Sequence, residues 1–308
     1  MIRTRQITLE GVFASPGDIC EENAGRVSPE AVASTGFRFR RVSSVPVFEL
    51  AMKAVSAAKE DAEKKGLEIG AVVAATFSSG DRFPALSVRI ASAAGLKTDI
   101  PAFDMQMACS AYPYAVYAAG KLAADLGKTV LLVDGDVQSR LVDADDAANA
   151  MVMGDALTAT LVRAFDGDGA RSEFSFLSSY DTALGCGEAG PISMDGFKVF
   201  SFVAAKVKPM LAEFIAESGP FDRFVPHQAN MYMLRQLAKG LGLESKMLLS
   251  GEIYGNVGSA SIPLTIADAA AKEDLRAMRM LLAGFGAGFS AAAATVSLSG
   301  TFSAKVLG

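Results

Sequence analysis

Phe221-Asp-Arg-Phe-Val225-Pro-His227-Gln-Ala-Asn230-Met-Tyr-Met-Leu-Arg-Gln-Leu-Ala-Lys-Gly-Leu241-Gly-Leu243 is the stretch on which the fold turns. Phe221–Val225 reads as a short buried strand, Pro226 follows it, and Ala229–Leu241 takes up helical spacing. A strand that passes through a short loop into a helix is the repeating unit of α/β proteins. The same order stands between Val72 and Leu96, where Ala71–Phe77 is β-rich and Pro84–Ala94 restores helical spacing. Further out, the buried strand Thr129–Asp134 matches Met280–Gly284. The offset is about 150 residues, half the chain, which a tandem duplication of one α/β unit explains better than one open sheet. The break is expected near Gly167–Gly169, dividing the chain into residues 1–168 and 169–308. No linker-like segment separates the halves, so they should pack tightly together.

The remaining segments fit this alternation. Val45–Lys65 is an amphipathic helix with Phe48, Ala51, Val55 and Ala58 on one face. Ala102–Met107 reads as extended and Cys109–Leu126 as a long alanine-rich helix; Ala156–Ala164 is a strand. In the second half, Lys198–Ser218 and Ser259–Ala271 read as helices, and Lys246–Ser250 and Ser290–Ser299 as strands. Met280–Ala304 carries no charge, but its glycines make it a poor spanning helix, and buried strands joined by a glycine turn are the better reading.

Composition removes several function classes. At 308 residues, 51% hydrophobic and 20% charged, the chain has the makings of an extensive core and is not globally disordered. A net charge of −5 argues against neutralising many phosphates, so no nucleic-acid partner is expected. Three widely spaced cysteines, Cys20, Cys109 and Cys186, form neither a disulfide framework nor a zinc ladder and suit a reducing cytoplasm. No signal peptide and no membrane association are expected. Walker, CxxC and HExxH motifs do not occur, and Phe285-Gly-Ala-Gly-Phe289 lacks the third glycine and the acidic residue of a dinucleotide fingerprint.

Three residues stand at strand-to-helix junctions, where α/β proteins place their working groups. Cys109 lies where an extended run meets the long helix; a helix N-terminus favours the reactive thiolate, although most free cysteines are small buried hydrophobes. His227, the one histidine of the chain, follows a strand; a lone histidine is more often a structural hydrogen-bonding residue, but this position also suits chemistry. Asn256 lies in Tyr254-Gly-Asn-Val-Gly258, a pattern that is also a common turn. Duplication would bring these junctions to one edge. Together they make a nucleophile beside two hydrogen-bond donors, a set suited to acyl-thioester chemistry. A backbone N–H of the Phe285–Phe289 loop could complete an oxyanion hole.

With those residues in view, the chain resembles the β-ketoacyl-acyl carrier protein synthase III group of thiolase-like condensing enzymes. The anchors are Pro101-Ala-Phe-Asp-Met-Gln-Met-Ala-Cys109, Met153-Gly-Asp155, Val225-Pro-His-Gln-Ala-Asn230, Gly255-Asn256 with Ser259-Ala-Ser261, and Phe285-Gly-Ala-Gly-Phe289. The resemblance implies a thiolase-like α/β fold of two duplicated halves in a five-layered α/β/α/β/α sandwich, normally a homodimer. It implies that Cys109 accepts an acyl primer, and that His227 and Asn256 hold a malonyl thioester through decarboxylation. The amides of Cys109 and Ala287 would form the oxyanion hole. Phe83, Phe197 and Phe285 would line the substrate pocket, Phe83 across the dimer. No metal or redox cofactor is implied; the substrates would be thioesters of carrier phosphopantetheine or coenzyme A.

The departures lie away from the reacting residues. Positions that in relatives stack coenzyme A adenine fall on Glu30 and Ala147, and Ser34 replaces a common arginine. Tyr232 stands where a basic residue of the acyl carrier protein docking surface is expected; Arg235, Lys239 and Lys246 could give a modest basic patch, although solvated surface is the commoner meaning of such charges. Tyr254 replaces a histidine and Ala287 a glycine. A decarboxylating condensing enzyme making a 3-oxoacyl thioester is the leading reading, in fatty acid or polyketide biosynthesis. The alternatives are an acyltransferase passing the Cys109 acyl group to a hydroxyl or amine, and a non-catalytic partner subunit.

Overall fold

The computed structural model describes residues 1–143, 145–165, 171–187 and 190–308. Nine strands make the sheet: β1 (Ile2–Pro16), β2 (Ile69–Ala75), β3 (Ala102–Met105), β4 (Thr129–Asp136), β5 (Ala156–Phe165), β6 (Arg171–Asp181), β7 (Arg223–Pro226), β8 (Arg279–Gly286) and β9 (Gly288–Val306). Their order is β7-β8-β9-β6-β1-β5-β4-β2-β3, with β9 also pairing β1 in parallel.

The duplication is visible in the pairing. In the N-terminal strands, β1 pairs β5 and β5 pairs β4 antiparallel, then β4–β2 and β2–β3 run parallel. In the C-terminal strands, β6 pairs β9 and β9 pairs β8 antiparallel, β8–β7 runs parallel, and Phe224 bridges Met247 in parallel. Each set has the same order and the same directions. The expected Lys246–Ser250 strand is reduced to that single bridge, because a helical turn begins at Gly251 and leaves no length for a ladder. The expected break between the halves lies outside the described residues. Of these nine strands, β1 and β6 had no sequence expectation, and β1 occupies the middle of the sheet.

Alternate residues of the central strands go to opposite faces. Val130 and Leu132 of β4 join one cluster with Ala111, Ala115, Ala119 and Ile262, while Leu131 and Val133 join another with Leu50, Ala54 and Ile90. In β8, Met280 and Leu282 face the first cluster, and Leu281 and Ala283 face a third with Phe214, Leu234 and Leu237. Helices Ala111–Leu126 and Ser261–Ala270 are therefore sandwiched between strand layers. Val47–Lys64 covers the outer face of the N-terminal strands, and Met231–Leu241 that of the C-terminal strands. The central helices are rich in small residues because both sides must approach a sheet closely. No helix among the described residues is long and apolar enough to cross a membrane.

Candidate active site

The turns that carry the candidate residues meet one another: Ala108–Ser110 packs against β8 and against the Gly258–Ala260 turn, which in turn packs against the end of β4. After β3 the chain makes a tight turn at Ala108–Ser110 before the long helix begins at Ala111. Ala108 takes a φ of 44°, which a residue with a side chain rarely adopts and which marks a constrained turn. Ser110 Oγ ties that turn to Met107 O at 2.9 Å and to Ser290 Oγ at 2.7 Å. Cys109 is thus presented from a braced backbone and is 9% exposed.

Gly286, at the end of β8, passes so close that a Cβ there would lie 2.7 Å from Cys109 Cβ. This approach brings the Ala287 amide to the sulfur, and the Cys109 amide faces it as well. Both pull the thiol's pKa down, but burial, aided by the Asp136 charge, wins and pushes it up to about 12. Cys109 therefore rests as the thiol, contrary to the expectation that its helix N-terminus would favour the thiolate.

His227 extends the β7 ladder by donating its N–H to Ala283 O at 2.7 Å. Its Nδ1 lies 2.9 Å from Gly258 O and 2.9 Å from Ser261 Oγ, and its ring packs edge-on against Phe285 at 5.6 Å. Burial lowers its pKa to about 4, so the imidazole is neutral at pH 7. Asn256 shares the Gly258 turn: its Oδ1 accepts from Gly258 N at 3.0 Å, which leaves its Nδ2 hydrogens as the free donors. Gly258 therefore stands against both groups, its amide donating to Asn256 Oδ1 and its carbonyl 2.9 Å from His227 Nδ1.

A cavity of about 150 Å³ opens at Cys109, lined by Phe77, Gln106, Gln138, Met153, Ile192 and Ala287 among others. It adjoins a larger cleft of about 630 Å³ that shares Phe77, Gln106 and Cys186. None of the three phenylalanines expected at the substrate pocket lines this cavity within the single chain, and Phe83 was expected there only from across a dimer. Phe285 is buried against the His227 ring, while Phe83 and Phe197 are 85% and 81% exposed, away from this cavity within the chain. Of the expected basic patch, Arg235 and Lys239 are exposed, but Lys246 is spent on Phe221 O at 2.6 Å. Among the described residues no cluster of three or more His, Cys, Asp or Glu is arranged for a metal ion.

Several site residues escaped the sequence reading. Asp136 Oδ1 accepts from Thr76 Oγ1, Phe77 N, Ser78 N and Ser78 Oγ at 2.7–3.1 Å, so it shapes the loop that carries Phe77 into the cavity. Burial pushes it up to about 6, and pushes its neighbour Asp134 well above the carboxylate range. Two aspartates at the end of an otherwise apolar strand were the available signal. Gln138 had none: a lone glutamine two residues beyond reads as surface.

Two strand layers enclosing a central pair of helices, in this repeated order, define the thiolase-like condensing-enzyme class. Residues 103–180 match the family model of 3-oxoacyl-[acyl-carrier-protein] synthase III, and residues 216–298 that of its C-terminal part. The chain is 30% identical over 277 residues to β-ketoacyl-[acyl-carrier-protein] synthase III of Neisseria meningitidis serogroup A, covering 84% of this chain and 87% of that one. Identity to the Rhodospirillum rubrum protein of the same description is 30% over 271 residues, 81% and 84% of the two chains. The crystal structure of a 3-oxoacyl-(acyl-carrier protein) synthase from Burkholderia xenovorans superposes with a TM-score of 0.90 at 25% identity, over 99% of this chain and 98% of that one. The priming β-ketosynthase of the R1128 polyketide pathway superposes at 0.84 with 26% identity, over 96% and 97%. The chain belongs to the β-ketoacyl-acyl carrier protein synthase III family of condensing enzymes.

Proposed function

We propose that the protein loads an acyl primer on Cys109 and condenses it with a malonyl thioester, carried as malonyl-acyl carrier protein, to give a 3-oxoacyl thioester. The observation that carries this reading is the Gly258 turn, which holds His227 and Asn256 as a pair of neutral groups next to a cysteine faced by two amides. In the first half-reaction Cys109 Sγ attacks the primer carbonyl, and the Cys109 and Ala287 amides receive the oxyanion. The carbon–sulfur bond to the carrier then breaks, and the carrier thiol leaves with the proton of Cys109.

In the second half-reaction the bond to the malonyl carboxylate breaks and carbon dioxide departs. Its electron pair becomes an enolate whose oxygen Asn256 Nδ2 and His227 Nε2 stabilise. Donation from Nε2 requires the tautomer whose Nδ1 carries no proton; Ser261 Oγ, which accepts from Gln228 N at 3.1 Å, then donates its own O–H to His227 Nδ1. The enolate carbon attacks acyl-Cys109, and the thiolate leaves the second oxyanion. An acyltransferase needs no enolate donor, so the paired His227 and Asn256 favour condensation.

We further infer that the protein works in the cytoplasm as a homodimer, and that the two halves of each chain are residues 1–168 and 169–308. The oxyanion and donor roles assigned here, the contribution of Phe83 across the dimer, and a docking surface weakened at Tyr232 belong to the same proposal. Intact-protein mass after incubation with acyl-coenzyme A and acyl-carrier primers of graded length tests it, with Cys109→Ala as control. A gain of one acyl group, absent in the control and discharged with carbon dioxide release on adding malonyl thioester, is the expected result. No adduct from any donor would overturn the covalent route and bring the partner-subunit reading forward.

A further inference from the structure

Gln138 opens the short helical turn Gln138–Leu141, two residues beyond the end of β4, and is 2% exposed. Its Nε2 donates to Gly154 O at 2.9 Å and to Asn256 O at 2.5 Å. Both partners are carbonyls, so the nitrogen, not the oxygen, must face them, and the amide orientation is settled by its surroundings. Asn256 O also accepts from Gly154 N at 2.9 Å, and Asn256 N donates to Val152 O at 2.9 Å. The backbone of Asn256 is thus held from outside its own turn by the N-terminal half of the chain, the half that carries Cys109. Gln138 is also one of the residues lining the cavity at Cys109.

We infer that Gln138 is a positioning residue, which holds Asn256 at the working distance from Cys109 and so serves the decarboxylating half-reaction and not the loading of the primer. This rests on the function proposed above, because it takes Asn256 to be the enolate donor. The geometry explains the separation. Cys109 is braced through Ser110, Ser290 and Gly286, none of which Gln138 bonds, whereas Asn256 loses one of the two donors on its carbonyl if Gln138 is changed. The Asn256 side chain is set by the backbone, through Gly258 N, so a shift of the backbone carries the donor with it. Displacement of a catalytic group by an ångström costs up to about 100-fold in rate.

The test uses the full-length protein with Gln138→Met, which keeps the length of the side chain and removes its donors, and Gln138→Glu as a second, nearly isosteric variant. Primer loading is followed by intact mass, and carbon dioxide release is followed on enzyme already acylated at Cys109. Decarboxylation slowed by about 10- to 100-fold, and slowed at least about tenfold more than primer loading, is expected. Each change is then combined with Asn256→Ala. A group that acts only through Asn256 should have no further effect there, so the two losses should not multiply.

Equal loss in both half-reactions, or full multiplication in the double variants, would overturn the inference and leave Gln138 a structural residue. Decarboxylation unchanged in either folded single variant would overturn it as well. If Gln138→Met does not fold by circular dichroism, Gln138→Glu gives the same readouts. Failure of the unmodified protein to load any primer strikes instead at the proposed function, so the two failures are distinguishable.

Discussion

Cys109 and His227 show how burial decides a residue's chemistry. A helix start argues for a low thiol pKa, yet the thiol is buried deeply enough, with Asp136 nearby, to sit at about 12. The thiolate is then a minor species throughout the neutral range, and its fraction rises about tenfold per pH unit until the pKa is reached. Alkylation of Cys109 by iodoacetamide should accordingly climb about tenfold per unit from pH 7 to 10 without levelling, once corrected for the exposed Cys20 and Cys186 by peptide mass. A plateau near pH 7 would show that the two amides outweigh burial. His227 moves the opposite way for the same reason: burial disfavours its charged form, and a neutral ring survives down to about pH 4. A nucleophile kept protonated until its substrate arrives is protected from adventitious chemistry, and the amides that fail to ionise the thiol are placed for the oxyanion that forms on attack.

Among the elements, the central helix Ala111–Leu126 shows packing overriding propensity. Alanine is better than glycine in a helix by about 1 kcal/mol, so Gly120→Ala should stabilise an isolated helix. In this fold the added Cβ would stand 2.1 Å from Ile7 Cδ1 on β1. Overpacking a close-packed core costs about 1–3 kcal/mol, which exceeds the propensity gain. Thermal unfolding should therefore place the Gly120→Ala Tm below that of the unmodified protein, and pairing it with Ile7→Val should recover part of the loss. A rise in Tm from Gly120→Ala alone would mean that the helix is free to move away from β1. The alanine pattern was legible as a helix; its placement between two strand layers was not, because β1 had given no sign of itself.

For the whole molecule, the outstanding surface feature is an apolar patch at an open sheet edge. β3 ends the sheet, and Phe103 on it is 41% exposed; Phe83 and Val88, 85% and 46% exposed, lie in the loop and helix that pack beside it. Leu86 N and Ser87 N both donate to the Asp104 carboxylate, at 2.7 and 2.9 Å, which fixes that helix to the edge strand. An open edge with exposed aromatic side chains is a surface that proteins cover. In sedimentation equilibrium the proposed homodimer should give about twice the 32.0 kDa chain mass, and Phe83→Asp with Phe103→Asp should shift it to the single chain. A single chain for the unmodified protein at micromolar concentration would refute that assembly.

What the sequence determined by itself is whatever depends on local order. The strand–loop–helix alternation, its recurrence about half a chain later, and the placement of Cys109, His227 and Asn256 at junctions all follow from periodicity and punctuation within a few residues. Tertiary structure alone decided the rest. That Gly258 ties His227 to Asn256, that Gly286 brings the Ala287 amide to Cys109, and that Gln138 reaches across to Asn256 depend on backbone segments distant in sequence. Ionisation belongs there too, since it turns on how much water the surrounding layers exclude, and no window of neighbouring residues contains that quantity.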